Sequence, residues 1–508
     1  MMIKKILVFS TLLLAAACSD ISSEEEKVAE LSVVPESLSF PSEGGTVTLT
    51  ATSSESTRAA TFANWCTVEP GPYKNGKTTY EVTATANASE QERSTTMKII
   101  CTGRVVDVEV VQAGKDSSSD QGQEPLPGPM PEPGDPAASV GLGWNLGNQM
   151  DAYNNGVAGE TAWGNPKATQ ATFSKLREYG FTHVRIPVTW LGQFGKEPQY
   201  KINASWLDRV YELVCYAEQA GLVAIINMHH DGADSKHWLD IKTAATFPES
   251  NEKIKEQIKA MWTQIAEKFK DKGDFLIFES MNEIHDGGWG WGANRSDGGK
   301  QYRCFNEWQQ VFVDAVRAVG GCNATRYLGI PGYCTNTDLT IANLVLPEDK
   351  VQNRLMVAVH CYDPYEYCLQ ADYSEWGHTG AAGKKAGWGD EDNLVGIFKK
   401  LHDKYVSQGI PVYMGEMGCV NRATEREQAF QQYYLEYYAK VARTYGIIPY
   451  IWDNGAKGSG TEKHAFIDHG NGTFCSEAAR SAIQAFMKGM FTEDIDYTLD
   501  SVYAGAPK

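Results

Sequence analysis

The alternation of hydrophobic and polar positions is clearest near the front of the chain, between Leu31 and Gly114. β-Branched and polar residues alternate there, as in residues 46–50, and turn residues such as Gly44 and Gly45 separate the alternating runs. A period of two indicates half-buried strands, and frequent turns indicate short connections between them. This stretch of about 85 residues therefore predicts a small all-β sandwich.

A different pattern begins near residue 137, where short apolar runs alternate with amphipathic segments. Eight apolar runs are candidate strands: Val140–Asn148, Phe181–Val188, Leu222–His230, Leu276–Glu283, Arg326–Tyr333, Leu355–Asp363, Ile410–Gly418 and Ile447–Gly455. Apolar residues recur at helical spacing in six segments: Ala204–Ala220, Lys253–Lys270, Asn306–Val319, Asp392–Ser407, Glu425–Tyr445 and Glu477–Lys488. Eight strand–helix repeats over about 350 residues predict an α/β fold, a (β/α)₈ TIM barrel at residues 137–490. The alternative is a doubly wound sheet, which requires a reversal in strand order.

The two predicted domains are separated by residues 115–136, which contain six prolines and almost no apolar side chain. Such a composition cannot bury a core and predicts a semi-extended linker. An acidic tail without a repeat follows the barrel at residues 491–508. The expected order is therefore sandwich (residues 31–114), linker, barrel and tail.

The first residues have the pattern of an export signal. Lys4 and Lys5 precede an apolar run of twelve residues from Ile6 to Ala17. That run is too short to span a bilayer and is typical of a secretory signal peptide. We therefore expect residues 1–17 to be a signal peptide.

Small residues stand directly before Cys18. This arrangement is similar to the bacterial lipobox, which implies that Cys18 is lipidated and begins the mature chain, although ordinary cleavage beside an incidental cysteine is the alternative. Residues 18–30 are polar and acidic and suit a tether. The expectation is an exported lipoprotein of the outer membrane, facing the cell surface and held by its lipid anchor only.

Charge and cysteine content exclude several classes of function. The 508 residues include 46 Lys and Arg and 64 Asp and Glu, a net charge of −18. An acidic chain of this kind is not expected to bind nucleic acid. The eleven cysteines form no CxxC pair and no zinc pattern, so we expect no metal and no cofactor, and the pairing of the cysteines and the oligomeric state stay open.

Polar or aromatic residues end nearly every predicted strand of the barrel. They are Asn148, Arg185, His229, His230, Asp231, Asn282, Glu283, Tyr333, His360, Tyr362, Glu416, Trp452, Asp453 and Asn454. Each has a simple structural explanation by itself, such as a turn or a core position. Because the carboxyl ends of all strands meet at one face of a barrel, we expect these side chains to converge on a site.

Two carboxylates stand out in this group, because Glu283 and Glu416 end the fourth and seventh predicted strands. Those strands face each other across the barrel mouth. Glycoside hydrolysis requires two facing carboxyl groups, one to protonate the leaving oxygen and one to attack the sugar or activate water. A retaining enzyme holds them about 5–5.5 Å apart, whereas an inverting enzyme needs roughly 6.5–9.5 Å.

Eight ordered motifs resemble glycoside hydrolase family 5, most closely its subfamily 4. They are Gly143–Asn148, Glu160–Pro166, Val184–Val188, Asn227–Asp231, Met281–Glu283, Val359–Tyr362, Gly415–Gly418 and Trp452–Gly455. The subfamily contains endo-β-1,4-glucanases, many of them xyloglucanases or enzymes of broad specificity. The resemblance implies a retaining endo-hydrolase acting on β-1,4-glucan polysaccharides such as cellulose-like glucan, mixed-linkage glucan or xyloglucan.

The resemblance also implies roles for individual residues. Glu283 is similar to the general acid/base and Glu416 to the nucleophile. Six further residues are expected to support them: Asn282 at the sugar 2-hydroxyl, Arg185 and Tyr362 beside Glu416, His229 and His360 around the reacting sugar, and Trp452 as its stacking floor. Asn148 and His230 are expected to contact substrate. Ile284 departs from the family, which often has proline there, so the loop Ile284–Gly299 is a region where substrate preference does not transfer.

Three alternative functions stay open from the sequence. A metal-dependent hydrolase could use His229, His230 and Asp231, although adjacent strand residues point to opposite faces. A glycan-binding lipoprotein without activity is the second. The third is an endo-hydrolase of the same mechanism directed at β-mannan or glucomannan.

The front domain has its own resemblance. Its last strand, Val108–Gly114, the segment Asn64–Cys66 and the turn that contains Asn87 and Glu92–Ser94 resemble BACON domains. These are immunoglobulin-like modules of exported Bacteroidota enzymes. The resemblance implies a glycan-binding module or a spacer, and the lack of an evident aromatic platform favours the spacer.

Overall fold

The structure is a computed structural model that describes residues 31–114, except 36, 62, 90, 102 and 103, and residues 136–508. The predicted signal peptide, Cys18, the tether and nearly all of the linker lie outside the described residues. The chain forms two compact units that divide between residues 124 and 125. Among the described residues no helix is long and apolar enough to cross a membrane.

The first unit contains eight strands in two four-stranded sheets. They are β1 (Leu31–Val34), β2 (Ser37–Phe40), β3 (Gly45–Ser53), β4 (Arg58–Thr61), β5 (Cys66–Pro70), β6 (Lys77–Ala84), β7 (Arg93–Cys101) and β8 (Arg104–Gln112). One sheet has the order β1-β3-β6-β5 and the other β2-β8-β7-β4. Alternate residues of the long strands β6, β7 and β8 enter one core, because a strand directs successive side chains to opposite faces. The predicted all-β sandwich is confirmed.

The second unit contains a closed barrel of eight parallel strands. The barrel strands are β9 (Gly143–Leu146), β12 (His183–Ile186), β13 (Val223–Ile226), β14 (Leu276–Glu279), β15 (Leu328–Asn336), β16 (Leu355–Cys361), β17 (Val412–Met417) and β18 (Ile448–Asp453). A short hairpin outside the barrel, β10 (Tyr153–Asn154) and β11 (Val157–Ala158), follows β9 in the chain. The barrel runs in order from β12 to β18 and closes through β9. The order contains no reversal, so the predicted (β/α)₈ barrel is confirmed over the doubly wound sheet.

Eleven α-helices lie among the described residues of the second unit. They are α1 (Gln170–Tyr179), α2 (Ala204–Gln219), α3 (Ile241–Ala244), α4 (Pro248–Lys268), α5 (Lys300–Val319), α6 (Thr337–Asn343), α7 (Tyr365–Cys368), α8 (Glu391–Lys404), α9 (Glu425–Tyr445), α10 (Glu477–Phe491) and α11 (Leu499–Ala504). The bounds of α9 equal the predicted ones, because Thr424 and Glu427 form a capping box and Gly446 ends the helix in a left-handed conformation.

The barrel strands are buried on both faces. Side chains such as Ile225, Ile277 and Tyr413 fill the barrel interior, whereas their neighbours along the strands pack against the helices. Alternation along β12 and β14 directs Arg185 and Glu279 inward as well. Two charged side chains therefore enter an otherwise largely apolar and aromatic interior.

Several strands end earlier than the sequence predicts. Strand β14 stops at Glu279, four positions before Glu283, and β13 stops at Ile226, before His229. The ladder hydrogen bonds end where the strands separate at the mouth, so polar residues there occupy irregular backbone. The apolar run by itself does not show where pairing ends.

The C-terminal segment packs on the barrel domain. Helices α10 and α11 both contact α9, and the hydroxyl of Tyr497 donates a hydrogen bond of 2.7 Å to Glu436. Thr498 caps α11. The segment predicted as a tail thus contains a short helix that covers part of the outer helix layer. The ten cysteines of the described residues are free thiols.

Arg326 anchors the end of the barrel opposite the mouth. Its side chain is fully buried and lies over the ring of Phe278 at 4.6 Å. The guanidinium donates to the side chain of Asn323 and to four backbone carbonyls: Phe269, Lys272, Gly273 and Leu276. One side chain therefore provides hydrogen-bond donors for the backbone carbonyls of the loop between α4 and β14.

We expect Arg326→Met to lower the free energy of unfolding by on the order of 3 kcal/mol, because several buried carbonyls lose a charged donor. Arg354→Met is the matched control. Arg354 lies over Tyr327 at 4.5 Å and is partly exposed, so its loss is expected to cost about 1 kcal/mol or less. Urea unfolding followed by tryptophan fluorescence gives both values, and equal losses would contradict the anchoring role.

Candidate active site

Arg185 lies at the centre of the barrel mouth and is fully buried. All five N–H groups of its guanidinium have acceptors. Nε donates to Oε2 of Glu279 at 3.2 Å and Nη2 donates to Oε1 of the same carboxylate at 2.7 Å. Nη2 also donates to Oδ1 of Asn282 at 2.8 Å. Nη1 donates to Oδ1 of Asn145 at 3.0 Å and to Oε1 of Glu416 at 2.8 Å. Arg185 therefore links four strands or strand ends around the mouth.

Glu416 lies within β17 and is 5% exposed. Besides the Arg185 N–H on Oε1, it accepts a hydrogen bond of 3.0 Å from the hydroxyl of Tyr362 on Oε2. Burial raises the pKa of that hydroxyl well above its ordinary value, so it remains a donor. Both predicted neighbours of Glu416 are therefore in direct contact with it.

Glu283 lies beyond the end of β14 and is more exposed than Glu416. Its Oε1 is 2.7 Å from Nδ1 of His360 and 3.4 Å from the hydroxyl of Thr335. Thr335 has φ of 46°, in the left-handed region that β-branched residues rarely adopt. A register shift in β15 accompanies this conformation, and the Thr335 hydroxyl also donates to the backbone oxygen of Cys334 at 2.7 Å.

The two carboxyl groups are close together. One oxygen of Glu283, one of Glu416 and a ring nitrogen of His360 all lie within 4.8 Å of one another. His360 Nδ1 is 3.7 Å from Oε2 of Glu416 in addition to its contact with Glu283. This spacing matches the short carboxyl separation of retaining glycosidases and leaves too little room for the water of an inverting enzyme.

Burial raises the pKa of Glu416 above its ordinary value, and the neighbouring His360 and Arg185 oppose that effect only in part. Arg185 thus acts in the predicted direction but does not determine the net shift. Burial also acts most strongly to raise the pKa of Glu283, but the hydrogen bond with His360, together with the electrostatic influence of His360, His285 and Arg185, holds that pKa below its ordinary value. Groups this close exchange protons as a unit, so the two carboxyls titrate as a pair.

His229 is oriented by two asparagines. The Asn227 carbonyl oxygen accepts from the backbone of Val188, so its amide nitrogen donates to Nδ1 of His229 at 3.2 Å. On the other side of the ring, Nε2 lies 3.3 Å from the amide nitrogen of Asn282 and 3.9 Å from Oε1 of Glu416. Burial holds the pKa of His229 well below its ordinary value, so the ring is neutral.

Trp452 lies beside His229, with the two rings parallel within 5° and their centroids 6.0 Å apart. It is the only large aromatic side chain that β18 places at the mouth, and it is 8% exposed. Asn282 has its oxygen on Arg185, so its amide nitrogen is available to a hydroxyl in the site. The structure thus brings six predicted residues around the two glutamates: Arg185, His229, Asn282, His360, Tyr362 and Trp452.

Two predicted residues face elsewhere. His230 turns away from the glutamates, with Nε2 at 3.5 Å from Asp151 and its ring 5.5 Å from that of Trp163. Asn148 has φ of 54° and its backbone N–H donates to Asp151. Both residues therefore border the loop between β9 and α1, not the carboxyl pair.

Two groups of side chains in the described residues could hold a metal ion by their spacing, Asp151 with His229 and His230, and Glu283 with His360 and Glu416. Asp231, which the metal alternative requires, is in neither group. Its carboxylate accepts from the backbone of Trp190 and from the indole of Trp238, and it fixes the loop after β13. The ligand set of that alternative is therefore not assembled.

Sequence reasoning missed Glu279 and the role of Asn145. Glu279 stands four positions before Glu283 in an apolar strand, and Asn145 lies inside the motif that begins at Gly143. A lone carboxylate in a predicted core strand is a signal that could have identified Glu279, because such groups are rarely buried without a partner.

Exposed aromatic side chains surround the mouth on the loops that follow the strands. They are Trp163, Trp289, Trp291, Tyr365 and Trp388. Within the loop after Glu283, Asp286 accepts hydrogen bonds from two backbone N–H groups and from the side chain of Gln301. Trp291 is 78% exposed on this loop. Flat exposed rings are suited to stacking on sugar rings.

Known proteins share this architecture. The profile of cellulase (glycosyl hydrolase family 5) matches residues 149–458, and that of the viral BACON domain matches residues 30–115. The structure of a broad-specificity subfamily 5-4 endoglucanase from Bacteroides salanitronis is 56% identical with a TM-score of 0.69, over 74% of this chain and 100% of that chain.

Two curated proteins extend the comparison. Endoglucanase A of Paenibacillus barcinonensis is 36% identical over 370 residues, 70% of this chain and 89% of its own. A xyloglucan-specific endo-beta-1,4-glucanase of Bacteroides ovatus is 30% identical over 517 residues, 96% of this chain and 97% of its own. The predicted family and the BACON-like front domain are confirmed, and the chain belongs to glycoside hydrolase family 5.

Proposed function

We propose that the protein is a retaining endo-β-1,4-glucanase in which Glu416 is the nucleophile and Glu283 the general acid/base. The observation that supports this most strongly is the pair of carboxyl oxygens within 4.8 Å at the mouth of a family 5 barrel. The subfamily 5-4 endoglucanases among its relatives support the same reaction.

The proposed reaction has two displacements. The first displacement starts with Glu283 protonated and Glu416 ionised, which is the opposite order to the pKa directions in this structure, so the bound sugar has to shift the proton of the pair to Glu283. Glu283 then gives that proton to the glycosidic oxygen while an oxygen of Glu416 attacks the anomeric carbon, forming a glycosyl ester as the leaving chain departs. In the second, Glu283 removes a proton from water, the water oxygen attacks the same carbon, and the ester bond to Glu416 breaks. Two inversions give net retention.

Contacts around the pair support the other roles. Arg185 and Tyr362 each donate to Glu416 and stabilise the charge that returns to it when the ester breaks. Asn282, held by Arg185, offers its amide nitrogen to the 2-hydroxyl of the reacting sugar. Trp452 and His229 provide parallel rings beneath that sugar. His360 lies 2.7 Å from Glu283 and 3.7 Å from Glu416, so it contacts both carboxyl groups and shares a hydrogen bond with Glu283.

The proposed substrate is a β-1,4-glucan polymer, including branched xyloglucan. The relative that matches 96% of this chain is named as a xyloglucan-specific enzyme, and another is named as having broad specificity. Exposed rings on loops on several sides of the mouth suit an open cleft that accommodates an internal segment of a long chain. His230 and Trp163, 5.5 Å apart, border this cleft away from the glutamates.

We further propose that the sandwich is a spacer and that the protein is an outer-membrane lipoprotein anchored through Cys18. In the described part of the sandwich Tyr73 is the only exposed aromatic side chain. Trp65 lies under the guanidinium of Arg93 at 4.6 Å and offers no open face on that side. A spacer and tether would give the barrel access to polymers at the cell surface.

The choice of polymer is tested with a panel of purified substrates. We expect endo-cleavage of xyloglucan, mixed-linkage glucan and carboxymethylcellulose, with a mixture of oligosaccharides as early products. Little release is expected from β-mannan. Product sizing by chromatography gives the pattern, and faster cleavage of mannan than of every glucan would transfer the assignment to the mannan-directed alternative.

The roles of the two glutamates are separated by single substitutions. Glu416→Ala is expected to lose turnover. Added azide should take the place of the nucleophile and restore bond cleavage, with a glycosyl azide of inverted configuration as the product. Glu283→Ala is expected to retain formation of the intermediate from activated aryl glycosides, which need no proton donor, and to lose most activity on polymer. Equal losses of Glu283→Ala on both substrates would reject its acid role.

Arg185→Met removes the cation that opposes burial of the Glu416 charge. The pKa of Glu416 should then rise further, so the ionised form appears only at higher pH. The acidic limb of the pH profile of kcat/KM is expected to move upward by about 1–3 units. A limb that stays in place in folded protein would show that Arg185 acts only in packing.

Deletion of residues 31–114 tests the spacer. The rate of the purified enzyme on soluble oligosaccharides is expected to be unchanged, and its binding to insoluble glucan should change less than twofold. Cys18→Ser should release the protein from the membrane fraction and leave its rate of turnover unchanged. Several-fold weaker polysaccharide binding after the deletion would instead identify the sandwich as a glycan-binding module.

A further inference from the structure

A second buried carboxylate, Glu279, lies behind the proposed nucleophile and takes no part in the reaction described above. It is the last residue of β14, faces the barrel interior and is 1% exposed. An ionised carboxylate in such a place is costly unless donors surround it. Its presence therefore requires a reason that packing alone does not supply.

Donors do surround Glu279. Oε1 accepts from Nη2 of Arg185 at 2.7 Å and from the amide of Asn227 at 2.8 Å. Oε2 accepts from the hydroxyl of Tyr413 at 2.7 Å and from Nε of Arg185 at 3.2 Å. Burial acts to raise the pKa of Glu279, but the charge and hydrogen bonds of Arg185, with further contributions from His360 and Tyr413, together lower it below its ordinary value, so the group is ionised.

This arrangement determines which edge of Arg185 reaches Glu416. Glu279 occupies the edge formed by Nε and Nη2, where a carboxylate can be bound by two parallel N–H groups. Glu416 is left with a single N–H from Nη1, at 2.8 Å. The remaining hydrogen of Nη2 holds Asn282. One cation is thus divided between two carboxylates.

We propose that Glu279 is a positioning residue that restricts Arg185 to a single hydrogen bond with Glu416 and shares its positive charge, so that Glu416 keeps the basicity needed for attack. A carboxylate bound at two points by an unshared guanidinium is more stable and therefore a weaker nucleophile. This inference rests on the proposed role of Glu416.

Other titratable groups also face the two carboxylates. Glu416 is approached by Arg185, His229, Glu283, His360, Tyr362 and Glu462. Glu279 is approached by Arg185, His360, Tyr413 and Tyr450. Only Arg185 is hydrogen-bonded to both Glu279 and Glu416 among the described residues, so a change at Glu279 reaches Glu416 through Arg185 and through its own charge.

The test is the pH profile of kcat/KM for the full chain on a soluble β-glucan. Glu279→Gln keeps the size of the side chain and removes its charge. Arg185 then acts on Glu416 without a competitor, so the acidic limb is expected to move to lower pH by roughly one unit. The value of kcat should fall several-fold, since the nucleophile is less basic.

Tyr413→Phe is the matched control. It removes a donor to the same carboxylate and leaves the charge in place, so its acidic limb should coincide with that of the wild type. A limb of folded Glu279→Gln that stays in place or moves upward would overturn the proposal, because a packing role alone lowers stability without moving the limb.

A double variant separates the two routes by which Glu279 reaches Glu416. Arg185→Met and Arg185→Met with Glu279→Gln both lack the guanidinium, so the difference between their acidic limbs measures the direct charge of Glu279 alone and should be smaller than the shift of Glu279→Gln against the wild type. An equal or larger difference would overturn the action through Arg185, and a limb above that of Arg185→Met would overturn the proposal even if Glu279→Gln alone did not fold. Two other results would show that the proposed function itself is wrong: an inactive wild-type protein or an active Glu416→Ala variant. Neither result depends on Glu279.

Discussion

One buried positive charge organises the mouth of this barrel. Arg185 has no exposed surface, and each of its five N–H groups meets an acceptor on another strand or strand end. Two buried carboxylates, Glu279 and Glu416, depend on it for neutralisation. Because a buried ion is stable only when its partners are in place, the geometry of the site and the closure of the barrel stabilise each other.

The remaining buried carboxylates at the mouth fix backbone and are not directed at substrate. Asp231 accepts from the backbone of Trp190, and Asp453 accepts from the indole of Trp144 and from two backbone N–H groups of the last loop. Strands that separate at the mouth leave such groups without ladder partners, and a carboxylate with several acceptor positions satisfies them. Glu283 and Glu416 differ because their carboxyl oxygens lie together with His360 and not against backbone N–H groups.

The raised pKa of Glu416 has a consequence for the reaction. Burial favours its neutral form, and Arg185 and His360 restore the ionised form only in part. A carboxylate held between these effects is basic enough to attack and is stabilised enough to leave again in the second displacement. A change that makes Glu416 more basic should therefore favour its attack in the first displacement and hinder its departure in the second, and a change that makes it less basic should do the reverse.

Local pattern determined much of this protein. The period of two predicted the sandwich, eight apolar runs predicted the barrel, and polar strand ends identified Glu283 and Glu416, because these signals lie within a few residues of one another. The tertiary structure alone decided which side chains meet. Arg185 and Glu416 are 231 positions apart, and neither the division of the Arg185 charge with Glu279 nor the turn of His230 towards Asp151 has a local signature. Strand ends and pKa values likewise depend on burial and pairing, which exist only after distant segments have packed together.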